Sequence, residues 1–375
     1  MSQAESDSPA NIGAALPDLT GALHIHVAFD VAGEIRLEQA RRLAPAELQS
    51  LPRRARTPSS ITYRPAPLAI RLPSAILRLA ELGEVAATCE ATVFDFGAVS
   101  VAMRVPFSLS AEAVTRVARG LAEPADLVEA ARAAFAPTFE KLLPAMHLPN
   151  WSELTEEYFV FELPPGGPLP APAELIAQHG PWLAGVVRLE DGPLSQQEID
   201  EALRQRISYS PNDLFVPEWS AAVLIDQDCG ETLQTIEFAN LQLLEFRFLD
   251  ERLDRRLSDA YKLIHPLARS MLPFWRMHGR PLRALGELRM EANDVFERTG
   301  NVLKLVGDQY LARVYRMLAA RFHLESWEQS IERSLRTVEG VYGIVSDQAA
   351  TFRAEFMEAV VIVLIGMEIV IHFLG

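Results

Sequence analysis

From Trp327 to Phe356, apolar residues recur every third or fourth position: Trp327, Ile331, Leu335, Val338, Tyr342, Val345, Ala349, Phe352 and Phe356. This is the repeat that holds one face of an α-helix against a partner helix. The same phase continues through Ala359, Val363, Gly366, Val370 and Phe373, which predicts one helix from about residue 325 to the end of the sequence, roughly 75 Å at ~1.5 Å per residue. No small domain buries a rod of that length. A helix predicted over 301–322 can fold back on its first part, and the remainder must meet lipid, another subunit or both. Self-association through this helix is therefore expected.

The last part, Ala359 to Gly375, is continuously apolar apart from Glu368 and His372. Its eleven Val, Ile, Leu and Phe residues favour insertion into lipid by roughly −3 to −7 kcal/mol, against ~2.5 to 3.5 kcal/mol for an ionised Glu368 near the centre. His372 lies four residues on, on the same helical face, and can partner Glu368. The balance predicts a transmembrane anchor built on Ala359, Val363, Gly366, Glu368, Val370, His372 and Phe373. The competing reading is a buried core helix of an oligomer. An anchor at the very end, with Arg353 as its nearest basic residue, leaves the folded body on the side of synthesis. The predicted location is thus the bacterial inner membrane with the body in the cytoplasm.

Upstream, strand and helix signals are segregated. LHIHVAFDV from Leu23 alternates as a strand does and is followed by the helix-compatible EIRLEQARRL. EVAATCEATVFDFGAVSVAMRVPF reads as a hairpin turning at Asp95, Phe96 and Gly97, where glycine supplies the positive φ of a tight turn. Two helices are predicted over 110–143 with a break near Pro124, then a strand at EEYFVFEL. The proline-rich run 164–172 marks a loop or domain edge. WLAGVVRLE and LFVPEWSAAVLID read as strands around a helix at SQQEIDEALRQRI, and from Glu231 the pattern is almost wholly helical.

The expected fold class is α+β: an N-terminal mixed α/β portion, then an all-helical C-terminal portion with a long coiled-coil-like helix ending in a membrane-type segment. The predicted organisation is a disordered tail over 1–20, an α+β domain over 21–230, a helical domain over 231–324, a coiled-coil-like helix over 325–356 and the anchor over 357–375.

Composition narrows function by exclusion. The 375 residues carry 35 Lys+Arg against 50 Asp+Glu, a net charge of −15, which argues against direct nucleic-acid binding driven by electrostatics. Cys89 and Cys229 are the only cysteines, without CxxC spacing, so neither a disulfide framework nor a structural zinc site is expected, and a reducing compartment fits. Phosphate-loop, dinucleotide, zincin and nucleophile-elbow motifs are missing, and no cofactor is implied.

Smaller constellations remain. His24 and His26 share one strand face but lack further ligands, so exposed or hydrogen-bonded histidines are the commoner reading. Asp226 and Asp228, beside Cys229 at a strand end, offer two carboxylates for a metal-assisted hydrolase; an acidic loop closing at Gly230 is the bland reading. Arg276, His278 and Arg280 beside Trp275 can contact an anion, and with Arg53, Arg54 and Arg56 they allow a ribosome or nucleic-acid adaptor.

The seam from Val314 to Phe356 running into FMEAVVIVLIGMEIVIHF, the hairpin ATVFDFGAVSVAMRV and the helix opening IEFANLQLLEFRFLDERLDRRL together resemble the family named for "required for meiotic nuclear division". The resemblance is patchy, covering about half of the region from Ala91 onward, and residues before about Leu82 look like an addition. EANDVFERTGNVLKLVGDQY replaces the aromatic-proline motif that usually precedes the family's helix pair, and Met357 with Glu358 stands where an aromatic often marks membrane entry. The resemblance implies a membrane-anchored, oligomeric protein with no established catalytic activity, whose mitochondrial relatives support translation through ribosome tethering. The function expected from all of this is a membrane-tethered, oligomeric scaffold or adaptor with a protein or ribosomal partner.

Overall fold

A computed structural model describes residues 16–45, 48–49, 65–166, 169–267, 290 and 309–374. The chain divides into two units, Met1–Leu244 with Asn301–His323, and Glu245–Gly300 with Leu324–Gly375.

The first unit is built on an eight-stranded sheet of order β3-β4-β5-β6-β1-β8-β10-β9. Its strands are β1 (Leu19–Asp30), β3 (Leu48–Gln49), β4 (Leu68–Leu79), β5 (Gly83–Val93), β6 (Ala98–Leu109), β8 (Thr155–Leu163), β9 (Leu214–Pro217) and β10 (Ala221–Ile225). Neighbours are antiparallel except β8 and β10, whose parallel pairing requires a crossover through α4 (Pro172–Arg188) and α5 (Gln196–Ala202). A two-stranded ribbon joins β2 (Ala32–Ile35) to β7 (Met146–Pro149). The helices α1 (Leu37–Leu43), α2 (Ala111–Gly120) and α3 (Ala125–Leu142) complete this half.

Because successive strand residues face opposite ways, β1 sends Leu23, Ile25, Val27 and Phe29 to one side, where they meet Val99, Val101, Met103, Phe159 and Phe161 in the buried core. The helices α2 to α4 belong to that layer; the Trp182 indole N–H donates to the Ala111 carbonyl at 2.9 Å, tying α4 to α2. The opposite face of β1 carries His24 and His26. It is covered by the first part of α6 (Gly230–Leu267) and by α7 (Gln309–Arg321). Asn240 Nδ2 donates to the Glu156 carbonyl at 3.1 Å, Phe238 meets Phe94, and the Tyr315 hydroxyl donates to Gln242 Oε1 at 2.6 Å.

The predicted hairpin is present, with its turn at Phe94–Gly97. Gly97 has φ +94°, and a Cβ there would lie 1.7 Å from the Ala32 carbonyl oxygen, so the turn tolerates glycine alone. The two helices broken at Pro124, the strand at EEYFVFEL and the strands-then-helices order are also found. WLAGVVRLE is not a strand: Trp182–Arg188 close α4, which ends on Leu189 in a left-handed cap. Its run of apolar residues is buried on several sides, and periodicity does not separate such a helix from a strand. Nor is the stretch before Leu82 an addition, since β1 is a central strand and β4 extends the same sheet. Of the predicted tail, residues 1–15 lie outside the described residues, while Leu19 and Thr20 already belong to β1.

In the second unit, α8 (Leu324–Leu374) is a single helix of 51 residues, as the apolar repeat predicts. Ile331, Leu335 and Val338 of the seam are buried within the chain and Trp327 is half-buried. The side chains of Tyr342, Val345, Phe352 and Phe356 lie outside the described residues.

The membrane anchor is not supported. Among the described residues no helix is long and apolar enough to cross a membrane. The described apolar side chains run from Ala359 to Ile371 with Glu368 inside them, about 20 Å of helix against ~30 Å of hydrocarbon. The predicted inner-membrane location falls with the anchor. Ala359, Val363, Gly366, Glu368 and Val370 are all exposed along α8; the side chains of His372 and Phe373 lie outside the described residues.

Candidate functional site

The face of the sheet beneath α6 carries ionisable groups where an apolar layer would ordinarily sit. Its floor comes from four neighbouring strands whose register sets the pattern: Thr92 of β5 lies opposite Ser100 of β6, Glu90 opposite Ala102, Ala102 opposite His26, and Arg104 opposite His24. Small side chains at Ala28 and Ala102 make room between the larger polar ones. Glu162 enters from β8, where β1 approaches so closely that a Cβ on Gly21 would sit 2.2 Å from the Glu162 carbonyl oxygen.

His24 Nε2 lies 2.6 Å from Glu162 Oε2, with the ring N–H donating, and Arg104 Nε lies 3.9 Å from the same oxygen. The His24 hydrogen bond holds the Glu162 carboxyl below its usual range despite its partial burial. The Cys229 thiol, just before α6, also donates to Glu162. Burial and that carboxylate push the thiol up to about 12. A nucleophilic cysteine needs an imidazole or cation beside its sulfur; here the carboxylate stands between thiol and imidazole and keeps the thiol protonated.

His26 is deeper, 4% exposed, its ring stacked 6.4 Å from that of His24, and neither ring nitrogen has a hydrogen-bond partner. Burial, then the neighbouring His24, lowers its pKa to about 3, so it is neutral at ordinary pH. Glu237 descends from α6 onto the same layer. Burial pushes its carboxyl up to about 7, outweighing the Ser100 and Thr92 hydroxyls that favour the ionised form. Glu90 is raised by burial as well.

A second polar cluster docks α7. The Glu218 carboxylate, 5% exposed, meets Arg188 Nε at 2.8 Å and Arg321 Nη1 at 3.0 Å, and the buried Tyr158 hydroxyl donates to the Glu218 carbonyl at 2.9 Å. Elsewhere, a groove of about 720 Å³ is lined by Pro124, Val128, Glu129, Arg132, Glu153 and Glu157 among others. The Arg132 guanidinium there stacks 5.1 Å from Trp151 and 5.5 Å from Phe29.

The residues expected from sequence fare unevenly. His24 and His26 do share one strand face, but they are buried and held for different reasons. Asp226 Oδ1 accepts the Asp228 backbone N–H at 3.0 Å, the geometry of a loop closing before α6. Among the described residues no group of three His, Cys, Asp or Glu side chains is placed to hold a metal ion. Arg53, Arg54, Arg56, Arg276, His278 and Arg280 lie outside the described residues. Glu90, Arg104, Glu162 and Glu237 were not foreseen; a carboxyl inside the apolar run IEFANL was the available signal for Glu237.

A family model described as the N-terminal domain of the uncharacterized protein MJ0711 matches residues 20–232, from β1 to the start of α6. The uncharacterized protein MJ0711 of Methanocaldococcus jannaschii is 25% identical over 202 residues, 53% of this chain. The match spans 61% of that archaeal relative's length. No solved structure matches. Neither match links the chain to the family named for meiotic nuclear division.

Proposed function

Because the chain belongs to the family of the MJ0711 N-terminal domain, whose model matches residues 20–232 and leaves α8 outside the match, we propose that it is an assembly scaffold, in which α8 gathers copies of the chain and so groups their α/β units. The observation that carries this reading is the exposed end of α8. Every large apolar side chain from Val361 to Ile371 is 49% to 65% exposed. Together they offer on the order of 900 Å² of apolar surface, about one side of a standard protein interface and more than the few hundred Å² of the largest patch on an ordinary monomer.

At 100° per residue these side chains surround the helix, so one neighbouring helix covers only part of them. A small bundle of identical helices covers them all, and the upstream seam keeps the same phase. The polar layer beneath α6 has no activated nucleophile, which favours a binding role over catalysis.

Light scattering on the full chain tests the reading. The expected mass is a discrete multiple of 41.6 kDa, falling to one chain when Val363→Glu and Val370→Glu are combined. A single-chain mass across the accessible concentration range, or an unchanged multiple in the double variant, refutes it.

A further inference from the structure

We infer that the polar layer between α6 and the sheet is a proton-controlled latch: with Glu237 protonated, residues 230–244 stay seated on the sheet, and loss of that proton loosens them.

The geometry carries this. Glu237 is 7% exposed, its Oε1 has no hydrogen-bond partner, and among the described residues no cation pairs with it. The titratable and charged groups on this face of the strands below are Glu90 of β5, Arg104 of β6, His24, His26 and Asp30 of β1 and Glu156, Tyr158 and Glu162 of β8, with Arg71 of β4 in register with Glu90; the Tyr158 hydroxyl is committed to the Glu218 carbonyl. Arg104 and His24 are directed to Glu162. His26, held neutral by burial, supplies no charge. Glu90 opposes ionisation of Glu237. On the helix side, Glu231 is a further carboxyl six residues before Glu237, and from α7 the Tyr315 hydroxyl donates to Gln242.

An ionised Glu237 in this position is therefore a buried charge without a counter-ion, which proteins relieve by neutralising or exposing the group. Exposure here requires that residues 230–244 part from the sheet, against the burial of Ile236, Leu241 and Leu244 and the Asn240–Glu156 hydrogen bond. The midpoint near pH 7 follows from burial offset by Ser100 and Thr92, so the latch works where a modest pH change alters it.

The test is amide hydrogen exchange by mass spectrometry on the full chain at pH 6 and pH 8, corrected for intrinsic exchange, with wild type and Glu237→Gln side by side. The ratio of their opening constants for residues 230–244 should rise about tenfold from pH 6 to pH 8, because the open helix releases the proton and the closed one retains it. A constant ratio overturns the latch. Infrared titration of the wild type gives an independent reading that needs no variant: one buried protonated carboxyl band should vanish between pH 6 and pH 8, and its absence at pH 6 overturns the proposal.

Discussion

Replacing His26 with Leu should reshape the pH dependence of stability without weakening the fold at neutral pH. The imidazole makes no hydrogen bond in its buried position, so an apolar side chain of similar volume leaves no partner stranded. In the folded protein His26 takes up a proton only near pH 3, whereas an unfolded chain does so at 6.5. As pH falls below 6.5 the unfolded state is favoured by protonation that the folded state refuses, and stability drops by ~1.4 kcal/mol per pH unit. Between pH 6.5 and 4.5 that amounts to about 3 kcal/mol. Glu237 acts in the opposite sense. Its folded pKa of about 7 lies above the usual 4.5, so the folded state binds the proton better, and about 3 kcal/mol is lost as pH rises from 4.5 to 7.

The two slopes nearly cancel in the wild type, whose urea midpoint should change little over pH 4.5–6.5 on their account. His26→Leu removes one of them. The variant should match the wild type at pH 7 and exceed it by about 3 kcal/mol at pH 4.5, in urea titrations followed by circular dichroism. Parallel curves for the two proteins would refute the claim that burial keeps His26 neutral.

Two further outcomes follow from the other clusters. Glu218→Gln removes the carboxylate between Arg188 and Arg321, leaving Arg188 with Glu198 at 3.4 Å and Arg321 with Glu201 at 3.8 Å, and the weakened pairing should cost about 1 to 3 kcal/mol; adding Arg321→Met should recover part of that loss in the same denaturation assay. Cys229, with its thiol held near 12, should react slowly with a disulfide reagent at pH 8. Glu162→Gln should speed that reaction roughly three- to fourfold for each pKa unit regained, the tenfold gain in thiolate being partly offset by its lower nucleophilicity, and an unchanged rate would show that Glu162 does not control the thiol.

Local patterns in this chain were readable because local geometry sets them. The Asp95–Gly97 turn needs a positive φ that glycine supplies, and the repeat from Trp327 onward has only one helical solution. Strand β4 was not read: Pro73 and a register shift between Leu72 and Ala75 break its alternation, and its place is fixed by pairing with β5. The polar layer was hidden for a different reason. His24 meets Glu162 across 138 positions of sequence, and His26 and Glu237 are farther apart still, so only the assembled sheet and helix make them neighbours. The end of α8 shows a third kind of ambiguity. Apolar residues on all sides of a helix state that it requires cover, and they are silent on whether lipid or protein provides it.

The position of β1 bears on how the chain is made. Among the described strands the first in chain order lies in the middle of the sheet, between β6 and β8, and the helices that cover its polar face follow every strand of that sheet, α7 ending only at Arg321. At ~5–20 residues per second, roughly 10 to 40 s separate completion of β6 from completion of α7. Until α6 and then α7 are in place, that face of the sheet presents histidines, carboxylates and hydroxyls to water in place of bare aliphatic side chains. The side chains whose burial is costly in the finished layer are thus ones that water solvates readily while that face of the sheet is still uncovered.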